Sequence, residues 1–521
     1  MKLIKYSLFL SAILLLFTAC SGDGAKDSGN NEETAGGELK VAISSEPPTL
    51  DTHLATTNVA SHISRHIFET LLTLDTEGGV HPMLAESYEV SEEGDVIDFI
   101  LRQGVHFHNG QELKASDVVA SMNRWMQVSS SGKETFPGAE FIEIDEYTVQ
   151  LKMQNPTSTA SLVLAYAGGE APIIMPASMI EGKETERVTE YIGTGPFQFK
   201  EWKQDQHIHL TKFEDYSARE EPADGLAGKR EALVDDLLIT FVPDASTRVA
   251  GILTGEYDII AEIPIDNVDQ INNMPELSLY STPKEMMNIF FNKKQGLFSN
   301  KLARQAVEVG INKEDALKAS FVDPKYYKKT HHMMMAHQES LWYSDIGKDE
   351  YDQVDEELAK KLFKEAGYNG EEIILMTSRD YVYRYNAAIV VQEQLSNLGL
   401  NVKLEVYDWP TFTERRDDPN SYDISVMSST AKIEPTSLTF LRKDFTGWTD
   451  SEELDEILER IRLAPSIEEA QGMYDDLQAW FMDYKPVVKL GDGDVLFAAG
   501  ESVSDLVDVD GIIFWNVSNS K

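Results

Sequence analysis

The chain has 521 residues, 42% of them hydrophobic, and a formal net charge of −42 from 88 acidic and 46 basic side chains. That length exceeds what one hydrophobic core usually organises, so two or three domains are expected. A surface this acidic repels polyphosphate and anionic headgroups, which argues against nucleic acid or anionic lipid as a partner. The acids are spread along the chain, as in a surface charged for solubility in saline or alkaline surroundings.

In chain order, Lys2 and Lys5 precede an apolar run from Ser7 to Phe17 that is too short to span a bilayer and ends in small residues before Cys20, the one cysteine. Residues 1–19 read as an export signal. Phe17-Thr18-Ala19-Cys20 resembles the bacterial lipobox, whose cysteine is acylated and becomes the new N-terminus; Phe17 stands where the lipobox prefers Leu. A lone thiol in an exported chain forms no internal disulfide, so Cys20 is expected to be a lipid anchor, with two or more acyl chains to hold it. Residues 20–37 have no apolar face and read as a flexible tether. Removal of the signal leaves 502 residues with a charge of −44.

Beyond the tether, β-type runs alternate with helical patterns. Leu39 to Ile43 predicts a strand. Val96 to Arg102 and Val105 to His108 alternate apolar and polar, and Asn109-Gly110 supplies a tight turn. Ser116 or Asp117 caps a helix carrying Val119, Met122 and Trp125. Gly193-Thr194-Gly195-Pro196 suits a close backbone turn into a strand from Phe197 to Trp202, and no GK[ST] follows to make it a phosphate loop. Arg102 and Asp117 are read as structural salt bridges or caps. Ser299 or Asn300 caps another helix, and Asp355 to Ala366 forms one ending at Gly367. A strand from 373, a helix from Ala387 to Leu398 and a strand through Val402, Leu404 and Val406 make a βαβ unit. Helices at 452–463 and 467–483 precede strands at 487–490 and 512–517, so the class is mixed α/β.

Several of these segments carry a family resemblance. Leu39-Lys40-Val41-Ala42, Pro48-Thr49-Leu50-Asp51 and Ile67-Phe68-Glu69-Thr70-Leu71 come first. Leu84-Ala85-Glu86-Ser87, Phe107-His108-Asn109-Gly110, Ala115-Ser116-Asp117-Val118-Val119 and Gly193-Thr194-Gly195-Pro196-Phe197 follow in order. Gly255-Glu256-Tyr257-Asp258-Ile259, Phe291-Asn292 and Arg304-Gln305-Ala306 complete a series that covers nearly the whole mature chain. Together they resemble the large extracytoplasmic solute-binding proteins of ABC transporters, the oligopeptide, dipeptide and nickel class. The resemblance implies a two-lobed clamp of three domains. Lobe I would take 38–79, 187–283 and 487–521, with an inserted domain at 80–186; lobe II would be 284–486. Crossings at 283–288 and 484–488 would form a hinge, and Pro283 and Pro486 suit such linkers.

The resemblance also implies a ligand site. Trp409-Pro410-Thr411-Phe412 and Glu434-Pro435-Thr436-Ser437 match the peptide-binding members, but the acid that pairs with a peptide ammonium is replaced by Ala431, followed by Lys432. Arg379 resembles the arginine that holds a dipeptide carboxylate, and Arg416 a basic position lining the cleft. Tyr381 and Tyr383 flank the same loop. A cleft that takes a carboxylate and does not require a free ammonium is expected, with Arg379, Trp409, Arg416, Lys432, Tyr381 and Tyr383 lining it. His331, His332, Met333, Met334, Met335 and His337 have the composition of a soft copper or nickel site, but no family pattern places ligands there and no metal or cofactor is assigned. A nickel or metal-chelate binder of the same fold is the alternative ligand class. A secreted hydrolase is the alternative of another class, and it lacks support: there is no HExxH, GxSxG or GxxxxGK[ST], and Asp505, Asp508 and Asp510 do not have EF-hand spacing.

The expected partners are a peptide or related small anionic solute, the permease and ATPases of one importer, and a membrane reached through the lipid anchor. The protein is expected to work as a monomer, on the outer face of a Gram-positive membrane or in a Gram-negative periplasm. Intact-mass analysis of membrane-extracted protein should give a lipidated chain beginning at Cys20, and Cys20→Ala should leave the membrane fraction. An unlipidated chain starting elsewhere would refute the anchor.

Overall fold

The computed structural model describes residues 36–429 and 431–521; the signal, Cys20 and the tether up to residue 35 lie outside the described residues. Runs rich in Val, Ile and Leu pair into one eleven-stranded sheet. From one edge its path is Asn401–Tyr407, Glu372–Ser378, Ile424–Ser429, Leu277–Phe291, Val487–Gly500, Ile259–Ile260, Glu38–Ile43, Asp236–Phe241, His207–Lys212 and Phe197–Lys203, with Tyr327–Lys328 added against Val487–Gly500. The outer parts contain parallel pairs of the βαβ kind, 372–378 with 401–407 and 38–43 with 236–241. Strands Leu277–Phe291 and Val487–Gly500 run antiparallel through the middle and belong to both halves. Residues 277–282 pair with 495–500, beside Ile259–Ile260, whereas 286–291 pair with both 424–429 and the start of Val487–Gly500. The register shifts between Pro283 and Glu285, where the proline has no N–H to continue the ladder, and again between Met287 and Asn288.

A separate four-stranded antiparallel sheet, ordered Ala85–Val90, Val96–Leu101, Thr148–Lys152, Glu140–Asp145, carries the helix Ala115–Val128 on one face. Val118, Met122 and Trp125 of that helix are buried with Phe99, Phe141 and Leu151. The Asn123 side-chain amide donates to the Phe141 carbonyl and accepts from its N–H, both at 2.9 Å, and so tethers the helix to the edge strand. Arg124 leaves the same helix for the main body, where its Nη1 and Nη2 reach the two carboxylate oxygens of Asp51 at 3.1 and 2.7 Å with both side chains shielded from water. The resulting fold is α/β, a two-lobed clamp with an inserted domain.

Several local expectations are corrected. Residues 105–108 form only a bridge, His106 to Glu112, across the Asn109-Gly110 turn, because Val96–Leu101 is already paired on both sides. The helix begins at Ala115, and Asp117 sits in its first turn, where it accepts from the Lys114 N–H at 3.0 Å instead of capping from outside. Arg102 donates to the carbonyls of Ser217 and Met83 rather than to an acid. The helix expected from Ala387 starts at Val382, so its first turn carries Arg384. Residues 467–484 break at Met473 into two helices, and the strand expected at 512–517 is only Ile512–Ile513, followed by a further short strand at Ser518–Asn519. The close approach at Gly193 and Gly195 is observed: a Cβ would lie 2.0 Å from the Ile67 carbonyl oxygen at the first and 2.5 Å from that of His66 at the second.

Buried neutral histidines hold this framework together. His108 accepts from the Gly193 N–H at 3.3 Å through Nδ1 and donates through Nε2 to the Gly195 carbonyl at 3.0 Å. His53 accepts from Arg124 at 2.8 Å and donates to the Ile173 carbonyl at 2.9 Å. Burial lowers His53 and His108 to about 4 and His66 to about 3. The unfolded chain, with ordinary histidines near 6.5, therefore binds protons that the native state refuses. Stability is complete above that value and falls as the pH drops toward the folded values, by about 2 kcal/mol per such histidine between pH 6.5 and 5. Urea midpoints measured at pH 7 and pH 5 should differ strongly, and His108→Gln should show the shallower dependence. Equal midpoints would contradict this assignment.

Candidate functional site

Two adjoining cavities lie where the lobes face each other. The central one, about 300 Å³, is walled by Arg65 and residues 75–78 on one side and 431–433 with His337 and Gln338 on the other. Residues 166–168, the crossing-strand pair Thr282-Pro283 and the C-terminal segment 508–510 complete it. Arg65 is buried and donates to the carbonyls of Val509 at 2.9 Å and Asp510 at 2.6 Å, leaving its Nε without a partner. Burial lowers its pKa and the nearby Asp510 and Asp508 oppose the shift. The Tyr166 hydroxyl, raised by burial and by Asp510, stays protonated and donates to the Asp510 carboxylate at 3.4 Å. Asp508 is neutralised by Lys284 at 3.3 Å and accepts from the Gly511 N–H at 3.0 Å.

The second cavity, about 230 Å³, opens between residues 130–137 and 155–170 of the inserted domain and 432–442 with 462–463 of the opposite lobe. Tyr166, Lys432 and Ile433 line both spaces. The lobes touch around these cavities: Ser340 Oγ donates to the Glu77 carbonyl at 3.0 Å, Ser158 Oγ to that of Ile461 at 2.8 Å, and Arg442 lies 3.6 Å from Glu134.

Beside the crossing strand stands a group of aromatics and guanidinium groups. Asp408 caps the short helix Trp409–Arg416, and the Trp409 N–H donates to Asp380 at 2.6 Å. The Trp409 ring stacks on Phe412 with centroids 5.4 Å apart and meets Tyr381 edge-on at 4.9 Å. The Arg384 guanidinium lies over Tyr381 at 3.9 Å and Trp409 at 5.1 Å, and Arg416 approaches Trp409 at 5.7 Å. Arg384 is buried, 3.5 Å from Glu285, which also accepts from Ser428 Oγ. Burial disfavours the Arg384 charge, but Tyr383, Glu285 and Tyr381 outweigh it and raise the pKa; burial lowers that of Arg416 against Asp417. Both keep their positive charge near neutral pH, and each has a buried Nε with no hydrogen-bond partner, that of Arg416 lying 3.6 Å from the Asp417 carboxylate.

The structure thus brings Tyr381, Trp409 and Arg416 together and puts Lys432 on the cavity wall. Arg379 is exposed at the end of its strand, where its N–H donates to the Tyr407 carbonyl at 2.9 Å and its charge acts on Asp408. Tyr383 turns toward Phe321, 5.8 Å away, behind the group. The sequence reading did not find Arg384, Glu285, Arg65 or the Asp508 and Asp510 pair. A helix start placed at Val382 would have revealed Arg384, three residues after Tyr381 on one face. The histidine and methionine run divides: Met333 to Met335 are core, His331 hydrogen-bonds the Ser344 carbonyl at 2.8 Å, burial lowers His332 to about 4, and His337 lines the central cavity.

A clamp of this kind, with cavities between its lobes, has the architecture of an extracytoplasmic solute-binding protein. Residues 79–450 match the family described as bacterial extracellular solute-binding proteins, family 5 Middle, and the chain belongs to that family. It is similar to a Sinorhizobium fredii protein described as a probable peptide ABC transporter periplasmic-binding protein, 29% identical over 87% of this chain and 88% of the relative. It is 26% identical to the oligopeptide-binding protein AppA of Bacillus subtilis, over 82% of this chain and 81% of that one. The solved structure of the Agrobacterium tumefaciens binding protein AgaA with agropinic acid superposes with a TM-score of 0.75 at 25% identity, covering 93% of this chain and 99% of that one. The protein is therefore the substrate-binding component of an ABC import system and not an enzyme.

Removing Arg384 strands Glu285 as a largely buried, unpaired acid. Arg384→Met should destabilise the protein by about 3 kcal/mol in urea unfolding, and Arg384→Met with Glu285→Gln should recover much of that loss. Additive losses would show that the two side chains are not energetically coupled.

Proposed function

We propose that the protein captures a peptide or related small anionic solute between its lobes and hands it, enclosed, to the permease of its importer. The observation that carries this reading is the pair of guanidinium groups flanking Trp409, each with a buried Nε that makes no hydrogen bond, together with Ala431 and Lys432 on the wall of the central cavity. Two planar cations on an aromatic platform suit a carboxylate. Of the acids lining the central cavity, Asp508, Asp510 and Asp75 are already engaged by Lys284, Tyr166 and His81, and Glu77 is exposed, so a free ligand ammonium is not needed to neutralise them. Trp409, Tyr381, Arg416 and Lys432 are assigned to the ligand and Arg384 joins them; Arg379 serves at the rim and Tyr383 supports Arg384 from behind. The names of peptide-binding relatives favour a peptide.

The lobe limits 38–79, 187–283 and 487–521, with 80–186 inserted and 284–486 opposite, are supported by the register shifts between 283 and 288. The chain works as a monomer held to its membrane through acylated Cys20. Closure requires a ligand that contacts both lobes, since equal affinity for open and closed forms shifts nothing.

Small-angle scattering should show a smaller radius of gyration with a saturating peptide pool than without it; an unchanged radius would refute the clamp. In calorimetry with a bound peptide, Arg384→Ala should weaken affinity at least tenfold, about 1.4 kcal/mol, and Arg379→Ala less. Acetylating the peptide amine should matter little. If acetylation abolishes binding while Arg384→Ala leaves it intact, the charged anchors are assigned the wrong way round.

A further inference from the structure

We infer that the ligand carries a bulky apolar side chain, of leucine to phenylalanine size, and that the central cavity is its seat. This rests on the peptide reading above and adds to it a preference among peptides. Both lobes bring apolar side chains to this cavity: Leu74, Leu226 and Val509 from one, Leu341 and Ile433 from the other, with Pro283 of the crossing strand between them. A dry apolar cavity of about 150 Å³ takes a benzene ring. The central cavity, about 300 Å³, therefore holds a ring or a branched aliphatic chain together with part of the backbone that bears it.

The polar groups on the wall do not compete for that space, because they are spent on the protein itself. Arg65 gives both Nη groups to the carbonyls of Val509 and Asp510 and has the Asp510 and Asp508 charges beside it. Asp75 accepts from the N–H groups of Glu77 at 2.9 Å and Gly79 at 2.7 Å as well as from His81 at 2.8 Å. Thr76 Oγ1 donates to Asp224 at 2.6 Å. Gln338 accepts from the Met335 N–H at 3.2 Å and donates to the Lys432 carbonyl at 2.5 Å. Burial keeps His337 neutral at pH 7. Of the other charged groups on the wall, Asp508 and Asp510 are engaged as described, Glu77 is exposed, and Lys432 is left for the ligand's carboxylate.

The apolar walls are fixed from behind. Leu341 reaches the opposite lobe: a Cβ at Gly78 would lie 2.5 Å from its Cδ1, so it is seated against a residue with no side chain to oppose it. Gln471 Nε2 donates to the Leu341 carbonyl at 2.7 Å and Trp342 Nε1 to the Ile433 carbonyl at 3.1 Å. An apolar group in this cavity therefore touches both lobes at once, the condition that closure sets. Pro283 on the wall is two residues from Glu285, which holds Arg384, so the apolar seat and the acid that positions this guanidinium group lie about 7 Å apart along one strand. A peptide of a few residues covers that span.

Native mass spectrometry of the full soluble chain with two equimolar peptide pools, each of two to five residues, tests this in one sample. One pool is drawn from Gly, Ser, Thr, Asn and Gln; the other is the same except that one position in each peptide is Leu or Phe. A single methylene in an apolar pocket is worth about tenfold or more, so the Leu and Phe peptides should give at least tenfold more adduct than the polar ones. Ala167→Leu and, independently, Ala431→Leu fill the cavity from two separate walls, and each should lower that ratio at least threefold; a ratio within one protein is insensitive to partial misfolding. A smaller preference in the wild type, or none, would overturn the apolar seat while leaving the peptide reading intact. Both leucine variants keeping the wild-type ratio would overturn it as well. No adduct from either pool would instead overturn the peptide reading itself, and this inference with it.

Discussion

Everything in this molecule is organised by the antiparallel pairing of Leu277–Phe291 with Val487–Gly500. Each strand is long enough to serve two halves of one sheet, and each changes neighbours midway along its length. A loop hinge lets two bodies move independently. A shared ladder does not: its hydrogen bonds hold the two halves of the sheet in register, and it is interrupted only by the shifts between Pro283 and Asn288. The cavity wall starts at that interruption, with Thr282 and Pro283 in the central cavity and Glu285 holding Arg384. The cavity wall and the register shifts of the shared ladder are therefore built from neighbouring residues.

A second layer of order comes from charges removed from water. Arg124 joins the inserted domain to Asp51, with Val188 donating to the same carboxylate at 3.0 Å where the chain returns to the main body. Glu308 lies between Lys313 at 3.0 Å and Lys485 at 3.5 Å, just before the second crossing strand. Lys489, paired with Asp492 at 2.8 Å, donates to the carbonyls of His332 and Met334. Such pairs are costly to bury and costlier to break, so their worth lies less in net stability than in specifying one arrangement of segments far apart in sequence. Lys489 also explains the histidine and methionine run: its backbone is pinned by a buried cation while Met333 to Met335 fill the core.

Much of the architecture was legible because it is local. The βαβ unit from 372 to 407, the Asn300 and Asp355 caps and the glycines ending helices at 367 and 399 all announce themselves within a few residues. Trp409 and Arg416 were recognisable from a motif, and the structure puts them within 5.7 Å. What remained hidden is non-local. Nothing near Val105 shows that the neighbouring strand is already paired on both sides by 85–90 and 148–152. Nothing near Arg384 shows Glu285, ninety-nine residues away, as its partner. Asp508 and Asp510 carry no local signal beyond their lack of EF-hand spacing, because Lys284, Arg65 and Tyr166 reach them only through the fold.

The two serine contacts that bridge the lobes share a property with an evolutionary consequence. Ser340 and Ser158 both donate to main-chain carbonyls, of Glu77 and Ile461, on the opposite side. A carbonyl is supplied by every residue, so drift at either acceptor position leaves the contact in place and only the serines are constrained. The acceptor side of each rim can thus change its side chains while these two bridging hydrogen bonds keep their acceptors.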